Sequence, residues 1–288
     1  MPRNAFAATA LGTSLLLAAG CAPIRDDAEP GAEGSTRMAV LDGQNGSYDI
    51  VVMDLAGNVL QDIDANLGSA QSLTYHVDDY FLVSDGANIL QVTWEGDVDR
   101  WNVDPMPSVV YRMAVTGGGT TTVAEEYDVT EYDDEGNQVS HTQTSNYCWM
   151  DASLGDSASG GDTAVLDIFG PTIATWSADS GQFTNVAVGV GSGTNVLGQD
   201  GIGNYYAASA YEDGMWRVDR DGAIESLGSL SSLGIPAYGV KAIEPAGPSS
   251  VYALYDGNQG SGIVELREGS ADELMTAGGS VWMDLTVF

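Results

Sequence analysis

Lysine is nearly absent from this chain. Lys241 is the only one in 288 residues, and together Lys and Arg number nine against 41 Asp and Glu, for a net charge of −32. A surface so poor in cations repels phosphate, which excludes DNA, RNA and anionic membrane surfaces as partners held by general attraction. Histidine and cysteine are equally scarce, with His76, His141, Cys21 and Cys148 making up the whole set. There is no paired Cys-x-x-Cys, no His-Glu-x-x-His and no Gly-x-Ser-x-Gly elbow, so no zinc or serine-hydrolase signature is written in the spacing. Gly189-Val-Gly-Ser-Gly193 is glycine-rich, but no helical pattern follows it to aim backbone amides at a phosphate, and it reads as a loop. The one long apolar run, Ala5 to Gly20, is too short for a comfortable membrane span.

What the chain has in quantity is glycine, at 37 residues, and alternating apolar stretches within a 43% hydrophobic composition, which together exclude disorder beyond the N-terminal tail. Met215-Trp-Arg-Val-Asp-Arg-Asp-Gly-Ala-Ile-Glu-Ser-Leu227 reads as two short strands joined at Asp221-Gly222, a dipeptide suited to the positive φ of a tight hairpin. Related hairpins carry Gly57, Gly96, Gly136, Gly181 and Gly269, so with Gly222 there are six units at steps of 39 to 47 residues. A second strand precedes each hairpin, as in Met38–Leu41, Tyr80–Val83, Ala164–Leu166 and Val251–Leu254. A leading strand opens each unit: Leu73–Val77, Val109–Met113, Cys148–Ala152, Asn185–Val188, Tyr238–Ala242 and Val281–Leu285.

Four strands per unit of about 40 residues is the pattern of a β-propeller blade. At the level of fold, residues 37–288 resemble the six-bladed propellers of the NHL, TolB and gluconolactonase type, without a diagnostic motif. The resemblance implies an all-β ring of six blades with four antiparallel strands each. The first recognisable strand is a second strand and the last, within Ser280–Phe288, is a lone leading strand. The C-terminal strand is therefore expected to complete the first blade and leave no open edge. An open solenoid or a pair of β-sandwiches are the other architectures such strands could build.

The N-terminus divides from the rest by composition. Leu15-Leu-Leu-Ala-Ala-Gly-Cys21 resembles a bacterial lipobox, which implies a signal peptide over residues 1–20 and acylation of Cys21. Ala18 departs from the usual leucine three residues before the cysteine; an ordinary cleaved signal is the alternative. Ala22, not Asp, follows the cysteine, the pattern of lipoproteins sorted to the outer membrane of Gram-negative bacteria. Cleavage would remove Arg3 and no acid, leaving eight basic residues against 41 acidic ones and a net charge of −33. Residues 21–36 are Pro-, Gly- and acid-rich and read as a flexible tether. With Cys21 lipidated, Cys148 is expected to be a buried free thiol, and no internal disulfide forms.

Candidate chemistry is sparse. Asp219-Arg-Asp-Gly222 with Glu225, and Tyr132-Asp-Asp-Glu-Gly136, place their glycines too early for a calcium loop and read as hairpin turns, with weak divalent-cation binding left open and no cofactor expected. Aligning the leading strands by their aromatic residues puts His76, Arg112, Asp151, Lys241 and Asp284 in one column. In a propeller the leading strand is innermost, so these residues would ring the channel, either as a site for a small anionic ligand or as a structural ring of salt bridges. The expected function is a binding or protein-interaction module at the cell envelope, monomeric, tied to the membrane by its lipid and partnered by an envelope protein or a small anion. A metal-dependent lactonase or hydrolase and a purely structural lipoprotein are the alternatives; an enzyme would need carboxylates converging at the channel, where Arg112 and Lys241 oppose a cation. The address is tested first: Cys21→Ser is expected to abolish acylation and move the protein from membrane to soluble fractions, and an unacylated wild-type chain would refute it.

Overall fold

The computed structural model describes residues 36–44, 46–116, 118–144, 149–153, 163–167, 170–191, 193–209, 214–235, 237–258, 260–267 and 270–288. The signal peptide, Cys21, nearly all of the tether, Cys148 and Gly269 lie outside them. Blade one contains β1 (Arg37–Gln44), β2 (Ser47–Asp54) and β3 (Val59–Leu67). Blade two follows with β4 (Ser72–His76), β5 (Tyr80–Ser84), β6 (Ile89–Val92) and β7 (Val98–Arg100). Blade three has β8 (Arg112–Val115), β9 (Thr121–Ala124), β10 (Asp128–Tyr132) and β11 (Gln138–Gln143). Blade four has β12 (Trp149–Ser153), β13 (Thr163–Asp167), β14 (Thr172–Ser177) and β15 (Gln182–Val188). Blade five has β16 (Val196–Gln199), β17 (Tyr205–Ala208), β18 (Gly214–Val218) and β19 (Ile224–Ser229). Blade six has β20 (Ala237–Gly247), β21 (Ser250–Gly257), β22 (Gly260–Arg267) and β23 (Ser270–Thr276), and β24 (Val281–Val287) returns to blade one.

Each blade is a four-stranded antiparallel sheet, and the first has the order β24-β1-β2-β3. The six-bladed propeller closed by the C-terminal strand is thus the fold of the protein. One expected element sits elsewhere. Asn185–Val188 is not the leading strand of unit five but part of β15, the outer strand of blade four; the glycine-rich loop then leads to β16, which is innermost. The outer strand β15 carries Phe183, Val186 and Val188, while the buried inner strand β16 offers only Val196 and Leu197 before Gly198 and Gln199, so residue type alone did not separate them.

The apolar runs follow from burial on both faces of a blade. Along β1, Met38 and Val40 pack towards Ala242, Leu254 and Ile263 of blade six, while Ala39 and Leu41 pack towards Leu73, Phe81 and Val83 of blade two. Alternation therefore becomes continuous hydrophobicity in the second strands, each fully buried side chain contributing roughly 1.5–3 kcal/mol. The marker glycines mark contacts between blades. Gly57, Gly96, Gly136, Gly181 and Gly222 all have positive φ, from 64° to 86°. A side chain at Gly136 would collide with the Asn102 carbonyl after β7, and one at Gly222 with the Val186 carbonyl in β15. Each hairpin tip so placed leans on the outer edge of the preceding blade.

The acidic turns fold on themselves. Asp54 Oδ1 accepts the N–H groups of Ala56 at 2.9 Å and Asn58 at 2.8 Å, and Asp133 and Asp219 accept the equivalent pairs in their own hairpins. The side-chain amide of Asn58 holds the Asp54 carboxyl below the usual carboxylate range, as that of Asn137 does for Asp133. These are hairpin caps, as their spacing indicates.

Ring closure is made by both backbone and side chains. Phe288 N–H donates to the Arg37 carbonyl at 3.0 Å and Arg37 N–H to that of Phe288 at 2.8 Å. The Phe288 ring stacks on Tyr75 of blade two at 4.2 Å and meets Phe81 and Trp94 edge-on. Deleting Ser280–Phe288 is expected to produce one cooperative loss of stability, with aggregation through the exposed edge of β1. Calorimetry checks this, and a truncated chain that melts like the intact one would refute closure as a source of stability.

Candidate functional site

The inner strands β24, β4, β8, β12, β16 and β20 stand around the axis, each touching the next and β20 returning to β24. Three of them are bulged. One extra residue opposes the second strand at Met150 in β12 and at each of Tyr238, Lys241 and Ala246 in β20, and in β24 both Met283 and Asp284 oppose Leu41. A bulge re-aims the side chains next to it.

The chief feature is an ion pair across blades. The Arg112 guanidinium, at the start of β8 in blade three, contacts Asp284 of β24 in blade one and donates to the Lys241 carbonyl of blade six at 3.0 Å. Asp284 is 1% exposed, and its carboxylate also accepts the N–H of Leu73 in blade two at 2.6 Å and of Leu285 at 2.9 Å. One cation and one carboxylate thereby link blades one, two, three and six. Lys241 points elsewhere: its Nζ lies 3.3 Å from Asp256 Oδ2 at the end of β21 and 3.3 Å from the Trp282 carbonyl.

His76 does not join this group. It is the last residue of β4, fully buried, with Nε2 2.8 Å from the Gly119 carbonyl of blade three and Nδ1 accepting Asp78 N–H at 3.2 Å. Its ring stacks on Tyr80. Arg112 is instead the first residue of β8, so aligning Tyr75 with Tyr111 shifted one strand along the other. Asp151 lies in β12, and its side chain is outside the described residues.

The structure therefore brings Arg112, Asp284 and the Lys241 backbone together and sets His76 apart. Asp256 was not singled out beforehand. The available signal was an acid at or near the end of the second strand in five blades, at Asp42, Asp85, Glu125, Asp167 and Asp256. Chemically the arrangement is a set of neutralised pairs: each cation faces a carboxylate and a carbonyl oxygen. Among the described residues, no three His, Cys, Asp or Glu side chains gather closely enough to hold a metal ion. A groove of about 300 Å³ lies at the seam of blades one and six, lined by Val51, Met53, Val59, Met275 and Trp282 with Asp62.

No family model matches the chain, and no curated protein matches it. Solved structures do. The chain is similar to a propeller in a nidogen/laminin complex, at TM-score 0.68 and 11% identity over 88% of this chain and 98% of that one. A protein of unknown function from Bacteroides caccae aligns at TM-score 0.65 and 12% identity over 88% and 99%. Virginiamycin B lyase from Staphylococcus aureus aligns at TM-score 0.59 and 13% identity over 83% and 87%. These likenesses establish the shared six-bladed fold, in agreement with the resemblance read from the repeats.

Removing Arg112 would take the contacting guanidinium away from a carboxylate that is 1% exposed. Arg112→Ala is expected to cost about 3 kcal/mol, whereas Lys241→Ala, whose Asp256 partner is partly exposed, is expected to cost under about 1 kcal/mol. Denaturant unfolding of the two variants checks the order, and equal losses would refute it.

Proposed function

We propose that the protein is an exported, lipid-anchored propeller of the cell envelope that works as a protein-binding module. The observation that carries this reading is the inward engagement of the central cations: Arg112 is held by Asp284 and the Lys241 carbonyl, and Lys241 by Asp256 and the Trp282 carbonyl. Such a network supports a rigid frame in which the channel residues hold blades together and the working surface is a face of the ring.

The tether supports a choice of face. Arg37 opens β1 at the end of the ring that carries the turns between first and second and between third and fourth strands. An anchor on Cys21 would hold that face towards the membrane and present the other. Tyr127, Val188, Tyr238 and Val281 are exposed on the presented face, Tyr238 by 59%. Tyrosine and aliphatic side chains of this kind suit the core of a protein interface. A propeller of the same fold occurs in the nidogen/laminin complex, which fits an interaction role by analogy of fold alone.

Photo-crosslinkers placed at Tyr127 or Tyr238, and separately at Leu55 or Ile224 on the opposite face, test the proposal in cells that export the protein. A discrete protein adduct from the first pair, absent from the second, is expected. No adduct from either face, together with a small molecule retained through purification and lost in Arg112→Ala, would replace it with a channel-ligand function.

A further inference from the structure

His141, the exposed one of the two histidines, belongs to a hydrogen-bonded chain on the outer part of blade three. It pairs across the strands with Thr130, and its Nδ1 lies 3.0 Å from Thr130 Oγ1. Thr130 is buried, and its hydroxyl donates to Glu125 Oε1 at 3.2 Å. The other oxygen of Glu125 accepts the N–H of Ser108 at 2.8 Å and its hydroxyl at 3.2 Å. On the other side of the imidazole, His141 Nε2 faces Asp128 Oδ1 at 3.7 Å, too far for a hydrogen bond.

The proton count fixes the orientation of this chain. A carboxylate offers only lone pairs, so the single hydroxyl hydrogen of Thr130 goes to Glu125. Thr130 Oγ1 can then only accept, and Nδ1 of a neutral His141 must carry the ring hydrogen. Its Nε2 is left with a lone pair. Asp128 Oδ1, opposite, is buried and has no hydrogen-bond partner. Two acceptors thus face each other across 3.7 Å with no hydrogen between them, an arrangement that a cation in the gap would turn from repulsive to attractive.

We propose that Asp128 Oδ1 and His141 Nε2 form a binding site for a divalent transition-metal ion of the zinc class. An imidazole nitrogen beside a carboxylate oxygen is a donor pair of that class, and calcium and magnesium favour all-oxygen sites. An ion about 2.1 Å from each atom would see the two at about 124°, wider than the tetrahedral angle by an amount that a small side-chain rotation closes. The Thr130–Glu125 relay behind the ring matches the outer support by which metal-binding histidines are oriented. His141 is 39% exposed, which leaves the remaining coordination positions to water, with Gln143 two residues along the same strand face. Two protein ligands make this an open, exchangeable site.

The chain has only two histidines, so the test is direct. The full chain, labelled with ¹⁵N-histidine, is titrated with Zn²⁺ while both imidazoles are observed by NMR. The expected result is a shift of the His141 Nε2 signal near stoichiometric Zn²⁺, with buried His76 unmoved and a large excess of Mg²⁺ without effect. His141→Gln and Asp128→Asn, with folding of each checked by its melting temperature, should weaken Zn²⁺ binding measured by calorimetry by about tenfold or more. An imidazole that responds to pH but not to Zn²⁺ would leave the proton as the cation between the two atoms and overturn the proposal. Binding retained in both variants would overturn it as well, by assigning the ion to other carboxylates.

Discussion

Everything in this fold depends on the pairing of β24 with β1. A blade has two apolar faces, and each must be covered by a neighbour; in a row of blades the first and last would each leave one face wet. Closing the row into a ring removes both ends at once. The hydrogen bonds between Arg37 and Phe288 complete the blade, and the Phe288 ring, set among Tyr75, Phe81 and Trp94, extends the contact to the next one. Because the joining strand comes from the far end of the chain, the ring is held by a non-local pairing whose loop-closure entropy must be offset by burial in every blade.

Charge is distributed according to the same constraint. The surface carries a large excess of carboxylates, many of them caps of their own hairpins, as at Asp54, Asp133 and Asp219. Two of the few cations tie distant segments together. Arg112 reaches across from blade three to Asp284, and Lys241 bonds to Asp256 and to the carbonyl of Trp282 in the closing strand. A buried pair of this kind adds little net stability relative to an apolar one, but its loss is costly, so it favours one arrangement of blades over others. Among the described residues, the cations of the inner strands are engaged within the protein, and the chemistry left open lies on the faces of the ring and on the strand surface around His141.

Much of the architecture was legible in the order of residues. The glycines at 57, 96, 136, 181 and 222 announced the repeat because a hairpin with positive φ admits little else, and their step length announced a blade. The lone strand at the C-terminus announced closure. The inner strand of blade five was not legible, since β15 is the longer and more apolar of the two by residue type and only the hydrogen-bond ladder tells outer from inner.

The candidate site was legible only in part. Lys241 and Asp284 were placed on inner strands, and so was Arg112, but the column that joined them to His76 assumed strands in uniform register. His76 closes β4 whereas Arg112 opens β8, and neither strand is bulged, so matching Tyr75 with Tyr111 slid one strand along the other; bulges at Met150, Lys241 and Met283–Asp284 shift the register of the remaining inner strands. The sequence by itself determined the number of units, the turns and the closing strand, because these rest on local conformational preferences and on periodic apolar residues. The tertiary structure alone decided that Arg112 meets Asp284, that His76 braces two turns, and that His141 faces Asp128. Those contacts depend on strand register and on the spacing of neighbouring blades, which no short-range pattern of residues encodes.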